Sequence, residues 1–267
     1  MEMLLGNQHV PQVSFYPGSV AALMTSGSGL AGLVIDCGHR VALVTPVYDA
    51  CVLPPYATST PLAGAALFAN VCRLLQNHAR LAPASSSDDV DCQGDNALSD
   101  SVVAHVMTQL LLASPIVPPD WLHVTLGAPR LTIDMGRYGH GHLPFPSWVR
   151  EHTADHQSIP DAVVQCVGHV PVNIRRALVT NVLVIGSIAD LPGFRHRLLH
   201  DIVARLRSDR RWLALVADAA LVMDLGAFAS SEQVWIGTSL AVAAKIGSVE
   251  VSREDFDGCT LLDWTTI

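Results

Sequence analysis

A five-residue segment, 36–40, joins two short apolar runs and carries residue types that suit an anion site. Asp36, Cys37 and Gly38 follow the run at 33–35 and precede the run at 41–44. Two such runs predict a β-hairpin, and backbone N–H groups at its turn can bind an anion. Asp36 is the acid with potential function, or else its carboxylate stabilises the turn. The turn could lower the pKa of Cys37, or this cysteine is a small buried residue.

A second candidate segment, residues 181–202, combines a strand, a glycine turn and a helix. Residues 181–185 are mainly apolar and β-branched, which is typical of a strand buried on both faces of a parallel sheet. Gly186 and Ser187 interrupt this run, Asp190 can cap a helix, and a helix start fits positions 192–193. Ligands of open α/β sheets bind at the carboxyl ends of such strands. Because glycine turns after strands are common, the pattern permits a phosphate or nucleoside site without establishing one.

Other kinds of site have weaker support. Four histidines lie close in sequence, two of them spaced i, i+4, and could suggest zinc: His140, His142, His152 and His156. No cysteine is near them, and histidines at this spacing in a loop-rich region are commonly uncommitted, so we predict no metal site. A Ser/His/Asp triad lacks the supporting G-x-S-x-G motif.

Composition excludes several classes of protein. Of the 267 residues, 50% are apolar and 15% are charged, which favours extensive burial or a large partner interface. The net charge of −8 argues against nucleic-acid binding, and the basic cluster at 205–211 is interpreted as a solvated helix end. No apolar run reaches the roughly 18 residues that span a bilayer, so we expect no membrane insertion. Six cysteines without a C-x-x-C pair predict reduced thiols in a cytosolic protein.

The periodicity of apolar residues predicts the elements that position the two candidate segments. Strands are predicted at 10–15, 33–35, 41–44, 48–53, 121–126, 131–133, 181–185 and 221–225, and helices at 17–24, 62–76, 99–112, 155–167, 192–202 and 234–245. The stretch at 82–96 is predicted to be an exposed loop, and 248–267 to be loop with partial helix. Residues 173–176 are expected to lead into the strand at 181–185.

Three motifs resemble the actin and actin-related protein family. The sequence LVIDCG at 33–38, with 41–44 and 46–49 after it, resembles the family's second phosphate-binding hairpin. LPGF at 191–194, preceded by NIRR at 173–176, resembles the adenosine-side loop, and VWIG at 234–237 resembles a helix start near the C-terminal end of the fold. The motifs follow the family's order along the chain.

This resemblance implies an α/β, actin-like (ribonuclease H-like) ATPase fold, mainly its second half with an inserted variable subdomain. The implied divisions are an opening strand and helix at 1–32, a core at 33–80 and 171–250, a variable subdomain at 81–170 and a tail at 251–267. The phosphate hairpin of the family's first half has no counterpart in the sequence.

The resemblance also implies that the nucleotide-loop positions are degenerate. These positions are Asp36, Cys37, Gly38, Gly186 and Ser187. His39 and Arg40 stand where the family has an acid and a glycine, and Ser187 replaces the second of two glycines. We therefore expect no enzymatic activity, no metal and no cofactor, with residual weak ATP or ADP binding left open.

Within the family, the residues around 36–38, 191–199 and 263–264 are most similar to the branch found in the dynactin pointed-end complex. That similarity implies a cytoplasmic, cytoskeletal subunit that supports dynein-driven movement along microtubules. Its implied partners are an actin-like filament protein and other pointed-end subunits of dynactin. Two alternatives stay open: an actin-related scaffold of a nuclear chromatin-remodelling complex, and a fragment of a nucleotide-dependent phosphotransferase of the same superfamily.

Overall fold

The computed structural model describes residues 10–27, 29–81, 100, 103–104, 107, 131–133, 157–191, 194–216, 229–244, 246 and 249–254. The strands in these ranges are β1 (Gln12–Phe15), β2 (Gly32–Cys37), β3 (Ala42–Tyr48), β4 (Cys51–Val52), β5 (Thr58–Thr60), β6 (Ala79–Leu81), β7 (Leu131–Ile133), β8 (Val182–Ile185) and β9 (Val249–Ser252). The helices are α1 (Gly18–Met24), α2 (Gly64–His78), α3 (Ile159–His169), α4 (Val172–Val179), α5 (Phe194–Arg207), α6 (Leu213–Val216) and α7 (Gln233–Ala243).

The central sheet has mixed strand directions and the order β4-β3-β2-β8, with β5 also paired to β3. β2 is antiparallel to β3 and parallel to β8, and its register with β8 runs from Leu33 opposite Val182 to Asp36 opposite Ile185. The carboxyl ends of β2 and β8 therefore lie side by side, which brings the segments after them together.

Both faces of the central sheet are covered, because successive side chains of a strand point to opposite faces. Leu33, Ile35 and Val184 belong to the larger core, which includes buried residues of α2, α3, α4 and α5. Val34 and Leu183 belong to a smaller core with residues of α1. Burial on two faces explains why β8 is apolar along its whole length.

Helices α1 and α7 cross in close contact on the second face. A Cβ atom at Gly237 of α7 would lie 1.7 Å from the carbonyl oxygen of Ala21 in α1. No side chain fits at that distance, so the two helix backbones touch only because residue 237 is glycine. Among the helices of the described ranges, none has the length and apolar composition to span a membrane.

Several predicted elements are confirmed. The strands predicted at 131–133 and 181–185 and the helices predicted at 17–24, 62–76, 155–167, 192–202 and 234–245 correspond to β7, β8, α1, α2, α3, α5 and α7. The strands predicted at 33–35 and 41–44 exist but extend further than predicted, so Asp36 and Cys37 lie within β2.

Other expectations are wrong, mostly where tertiary contacts decide the local structure. The strand predicted at 10–15 is confirmed as β1, but its partner β9 occupies part of a segment predicted to be loop and helix. By contrast, residues 173–176 do lead into β8, as part of helix α4. The strand predicted at 48–53 is a turn with positive φ at Asp49 and Ala50, followed by the two-residue β4.

Some predictions fall on residues outside the described ranges: the loop at 82–96, the strands at 121–126 and 221–225, and all four zinc-candidate histidines. Of the helix predicted at 99–112, the described residues Asp100, Val103, Ala104 and Met107 are helical. The division at residue 170 stays a prediction, although α3, which precedes it, packs in the larger core.

Candidate functional site

The two candidate segments meet where β2 and β8 end. A Cβ atom at Gly186 would lie 2.5 Å from the carbonyl oxygen of Cys37, and Gly186 has a φ of +94°. Both the close approach and the left-handed backbone require glycine at this position. The structure thus places Asp36, Cys37 and Gly186 together, as the pairing of two parallel strands predicts.

The hairpin turn after β2 is tied to the start of helix α2. The carbonyl oxygen of Gly38 accepts a hydrogen bond from the Gly64 N–H at 3.1 Å, and that of His39 accepts one from the Ala65 N–H at 2.6 Å. The first N–H groups of a helix are the donors that commonly bind anions. Here two of these donors at the start of α2 are used by the protein itself.

The glycine turn after β8 is closed in a similar way. The Gly186 N–H donates to the carbonyl oxygen of Ser230 at 3.4 Å. The Asp190 carboxylate accepts the Ser230 N–H at 2.7 Å and lies 3.5 Å from the Arg195 guanidinium. Arg195 also donates to the Ser230 hydroxyl. Asp190 therefore joins the turn to residue 230. Its role as a helix cap stays a prediction, because positions 192–193 lie outside the described residues.

Ser187 begins the 3-10 turn Ser187–Asp190, and its side chain is exposed. The turn places the buried side chains of Ile188 and Ala189 in the core. Ser187 is thus next to the contact between Gly186 and Cys37 but does not itself enter the core.

Asp36 borders a pocket of about 360 Å³ on the sheet face that carries α1. Apolar walls come from Val34, Leu43, Ile185 and Val234. The polar residues beside Asp36 are Ser19 of α1 and Thr45 of β3. None of the described residues that line this pocket is basic.

Burial shifts the ionisation of both neighbours at the end of β2. The Asp36 side chain reaches solvent through the pocket, but partial burial still raises the pKa of its carboxyl group. Cys37 is fully buried, and burial together with the nearby Asp36 charge raises the pKa of its thiol to about 12. The hypothesis that the hairpin lowers the pKa of Cys37 is wrong, and Cys37 is a packing residue.

Sequence reasoning missed Gln233, the first residue of α7. Its side chain is 1% exposed, and neither its amide nitrogen nor its amide oxygen has a hydrogen-bond partner among the described residues. It precedes Val234, which lines the pocket. A polar residue at the start of an otherwise apolar helix was the signal that could have identified it.

The described ranges contain no group of three or more His, Cys, Asp or Glu side chains that could hold a metal ion. A family model for actin matches residues 1–109 and 118–259. The chain belongs to the actin family. The matched ranges include both nucleotide-loop segments and helix α7, and together with the mixed α/β sheet they establish the actin-like fold.

Members of the actin family bind a nucleotide between two halves of the fold. The question for this chain is whether the groups around Asp36 and Gly186 could bind a nucleotide phosphate. The Gly186 N–H and the first donors of α2 are bound to backbone carbonyls. The pocket offers a carboxylate, two hydroxyl groups and apolar walls. A phosphate needs cationic or N–H partners, and these described groups do not supply them.

Proposed function

We propose that this chain is a non-catalytic actin-related subunit at the pointed end of the dynactin minifilament, where it supports dynein-driven transport along microtubules. The observation that carries this proposal is the use of the Gly186 N–H and the first N–H groups of α2 by backbone carbonyls of the chain itself. A subunit that ends a filament needs a binding surface, and it does not need to hydrolyse a nucleotide.

Electrostatics supports the non-catalytic part of the proposal. Phosphoryl transfer depends on positioning and on neutralising the charge of the phosphates. The Asp36 carboxylate would repel a phosphate unless a metal ion lay between them, and Mg²⁺ needs further oxygen ligands in octahedral geometry. His39 and Arg40 occupy the turn positions where the family has an acid and a glycine. We therefore expect Mg-ATP to bind weakly or not at all.

Calorimetric titration of the purified full chain with Mg-ATP and Mg-ADP tests this expectation. No saturable heat at micromolar nucleotide supports the proposal. A micromolar Kd that Asp36→Asn weakens would contradict it and would favour the phosphotransferase alternative.

Affinity purification of the native, full-length protein from its own cells, followed by mass spectrometry, tests the assembly. We expect an actin-like filament protein together with dynein-pathway subunits, and a cytoplasmic distribution of a tagged copy. Recovery of a chromatin-remodelling ATPase with nuclear enrichment, or of no stable partner, would contradict the dynactin proposal.

A further inference from the structure

Positive charge is concentrated in one part of this acidic chain. Residues 172–212 contain eight of the 16 Lys and Arg residues but only three of the 24 acids, so they carry a net charge of +5. The rest of the chain carries −13, because the total is −8. The arginines are Arg175, Arg176, Arg195, Arg197, Arg205, Arg207, Arg210 and Arg211.

Trp212 holds the chain segments of this region together. Its side chain is 6% exposed, and a Cβ atom at Gly168 near the end of α3 would lie 3.7 Å from its ring. The guanidinium groups of Arg175 and Arg211 lie 5.2 Å and 5.6 Å from the ring centroid. Arg175 also donates to the carbonyl oxygens of Gly168 at 2.8 Å and Val170 at 2.9 Å. The end of α3, the start of α4 and the turn at 210–212 are therefore joined by side-chain contacts.

Not all arginines in this region are used inside the fold. Arg205 binds Asp161, and Arg211 donates to Asp209 at 2.8 Å. Arg207 at the end of α5 and Arg210 in the next turn are exposed and have no acidic partner among the described residues. A positive charge at a helix C-terminus stabilises the helix, typically by about 0.3–1 kcal/mol. This effect can explain one exposed arginine after α5, but it explains two less well.

Exposed apolar side chains lie on elements that carry or contact the elements of these arginines. Leu213 at the start of α6 is 51% exposed and follows the turn directly, and Val172 at the start of α4 is 76% exposed. Helix α4 contacts α6, and α5 contacts the turn at 210–212. We name Val172, Arg207, Arg210, Arg211 and Leu213 the arginine surface. Exposed arginines together with apolar side chains are typical of protein–protein interfaces.

We propose that the arginine surface binds an acidic, partly apolar surface of the adjoining actin-like filament subunit. This inference rests on the proposed function, which makes such a subunit the neighbour of this chain. Guanidinium groups bind carboxylates in a bidentate geometry, which suits an acidic protein surface.

Charge distribution favours a protein over a polyanion as the partner. Nucleic acids and anionic membranes present negative charge over an area far larger than this surface. The net charge of −8 for the whole chain opposes the binding of such an extended polyanion. A protein surface of limited size can match the positive region alone.

Charge reversal in the native, full-length protein tests the inference. We expect Arg207→Glu with Arg210→Glu to lower the recovered actin-like filament protein at least about tenfold, because the acidic partner then meets like charge. Arg207→Lys with Arg210→Lys should retain more of it than the glutamate variant. The matched control, Arg73→Glu with Arg253→Glu, reverses two exposed arginines of α2 and of the residue after β9 and should behave as wild type.

The outcomes separate the two proposals. If wild type itself recovers no filament protein, the proposed function fails. If wild type recovers it and the Arg207/Arg210 reversal recovers as much, the arginine surface is not the interface. Circular dichroism and thermal unfolding verify that the variants fold. Tighter binding of the purified wild type to duplex DNA or phosphatidylserine vesicles than to purified filament protein would also overturn the inference.

Discussion

Two features of the structure require glycine at position 186. Its backbone has a positive φ that other residues adopt only with strain, and a side chain would clash with the backbone of Cys37. We expect Gly186→Ala to lower the free energy of unfolding by about 2–4 kcal/mol, measured by urea denaturation. Gly27→Ala is the matched control, because Gly27 also has positive φ (+64°) but a Cβ atom there meets nothing within 4 Å. A loss of about 1 kcal/mol is expected for it. Equal losses for both variants would show that the contact with Cys37 contributes nothing.

The thiols of the described cysteines differ in ionisation and access. Cys37 and Cys166 are buried, and burial raises the pKa of each thiol to about 12, whereas Cys51 is exposed. Only the thiolate reacts with an alkylating reagent. At pH 8 we therefore expect iodoacetamide to label Cys51 quickly and to leave Cys37 and Cys166 unlabelled in the native protein, as measured by peptide mass mapping. Labelling of all three in urea is the control, and rapid native labelling of Cys37 would contradict its burial.

Asp36 is expected to lower stability at neutral pH. Burial raises the pKa of its carboxyl group in the folded state, so protonation of Asp36 stabilises the folded protein. This stabilisation is fully present below the ordinary carboxyl pKa, and it is lost as pH rises through the pKa of the folded state. Asp36→Asn should therefore be more stable than wild type at pH 7, with an advantage that shrinks as pH falls towards 4. Urea denaturation at several pH values measures this difference. An advantage that grows on acidification would reverse the sign and refute the argument.

At the scale of elements, the pairing of α1 with α7 depends on a single glycine. We expect Gly237→Ala to lower the free energy of unfolding by about 2–4 kcal/mol or more, because the helices must separate to admit the methyl group. The matched control is Gly168→Ala in α3, where a Cβ atom would be in ordinary contact with Trp212 at 3.7 Å. Helix propensity then favours alanine by about 1 kcal/mol. Destabilisation by both changes to the same extent would contradict the close helix crossing.

The elements that the sequence predicts correctly are those whose own residues determine their structure. β8 is apolar and β-branched along its length, so its burial is visible in the sequence. β5 consists of Thr58, Ser59 and Thr60 and is stabilised from a distance, since the Thr58 hydroxyl donates to the Ala162 carbonyl at 2.7 Å. β1 and β9 are short and half exposed, and they form a strand pair only because the fold brings two distant segments together. Local patterns do not contain this information.

The same distinction applies to the candidate site when the whole molecule is considered. The meeting of residues 36–38 with Gly186 follows from two parallel strands and was predictable. The hydrogen bonds that join these segments to α2 and to residue 230 were not, because Gly64 lies 26 positions after Gly38 in the chain and Ser230 lies 44 positions after Gly186. Our proposal that the site is degenerate therefore depends partly on residue type, at His39 and Arg40, and partly on tertiary hydrogen bonds.

The uneven charge of the whole molecule gives a prediction about salt. The arginine surface carries three arginines and belongs to a segment, 172–212, with a net charge of +5. It attracts an acidic partner at short range, and the Debye length falls from about 10 Å at 0.1 M salt to about 3 Å at 1 M. Association of purified chain with purified actin-like filament protein, measured by co-sedimentation, should therefore weaken steadily between low and high salt. The Arg207/Arg210 reversal should be weak throughout and nearly insensitive to salt, because it lacks the attraction that salt screens. Wild-type binding that strengthens with salt would instead indicate an interface dominated by Val172, Leu213 and other apolar groups.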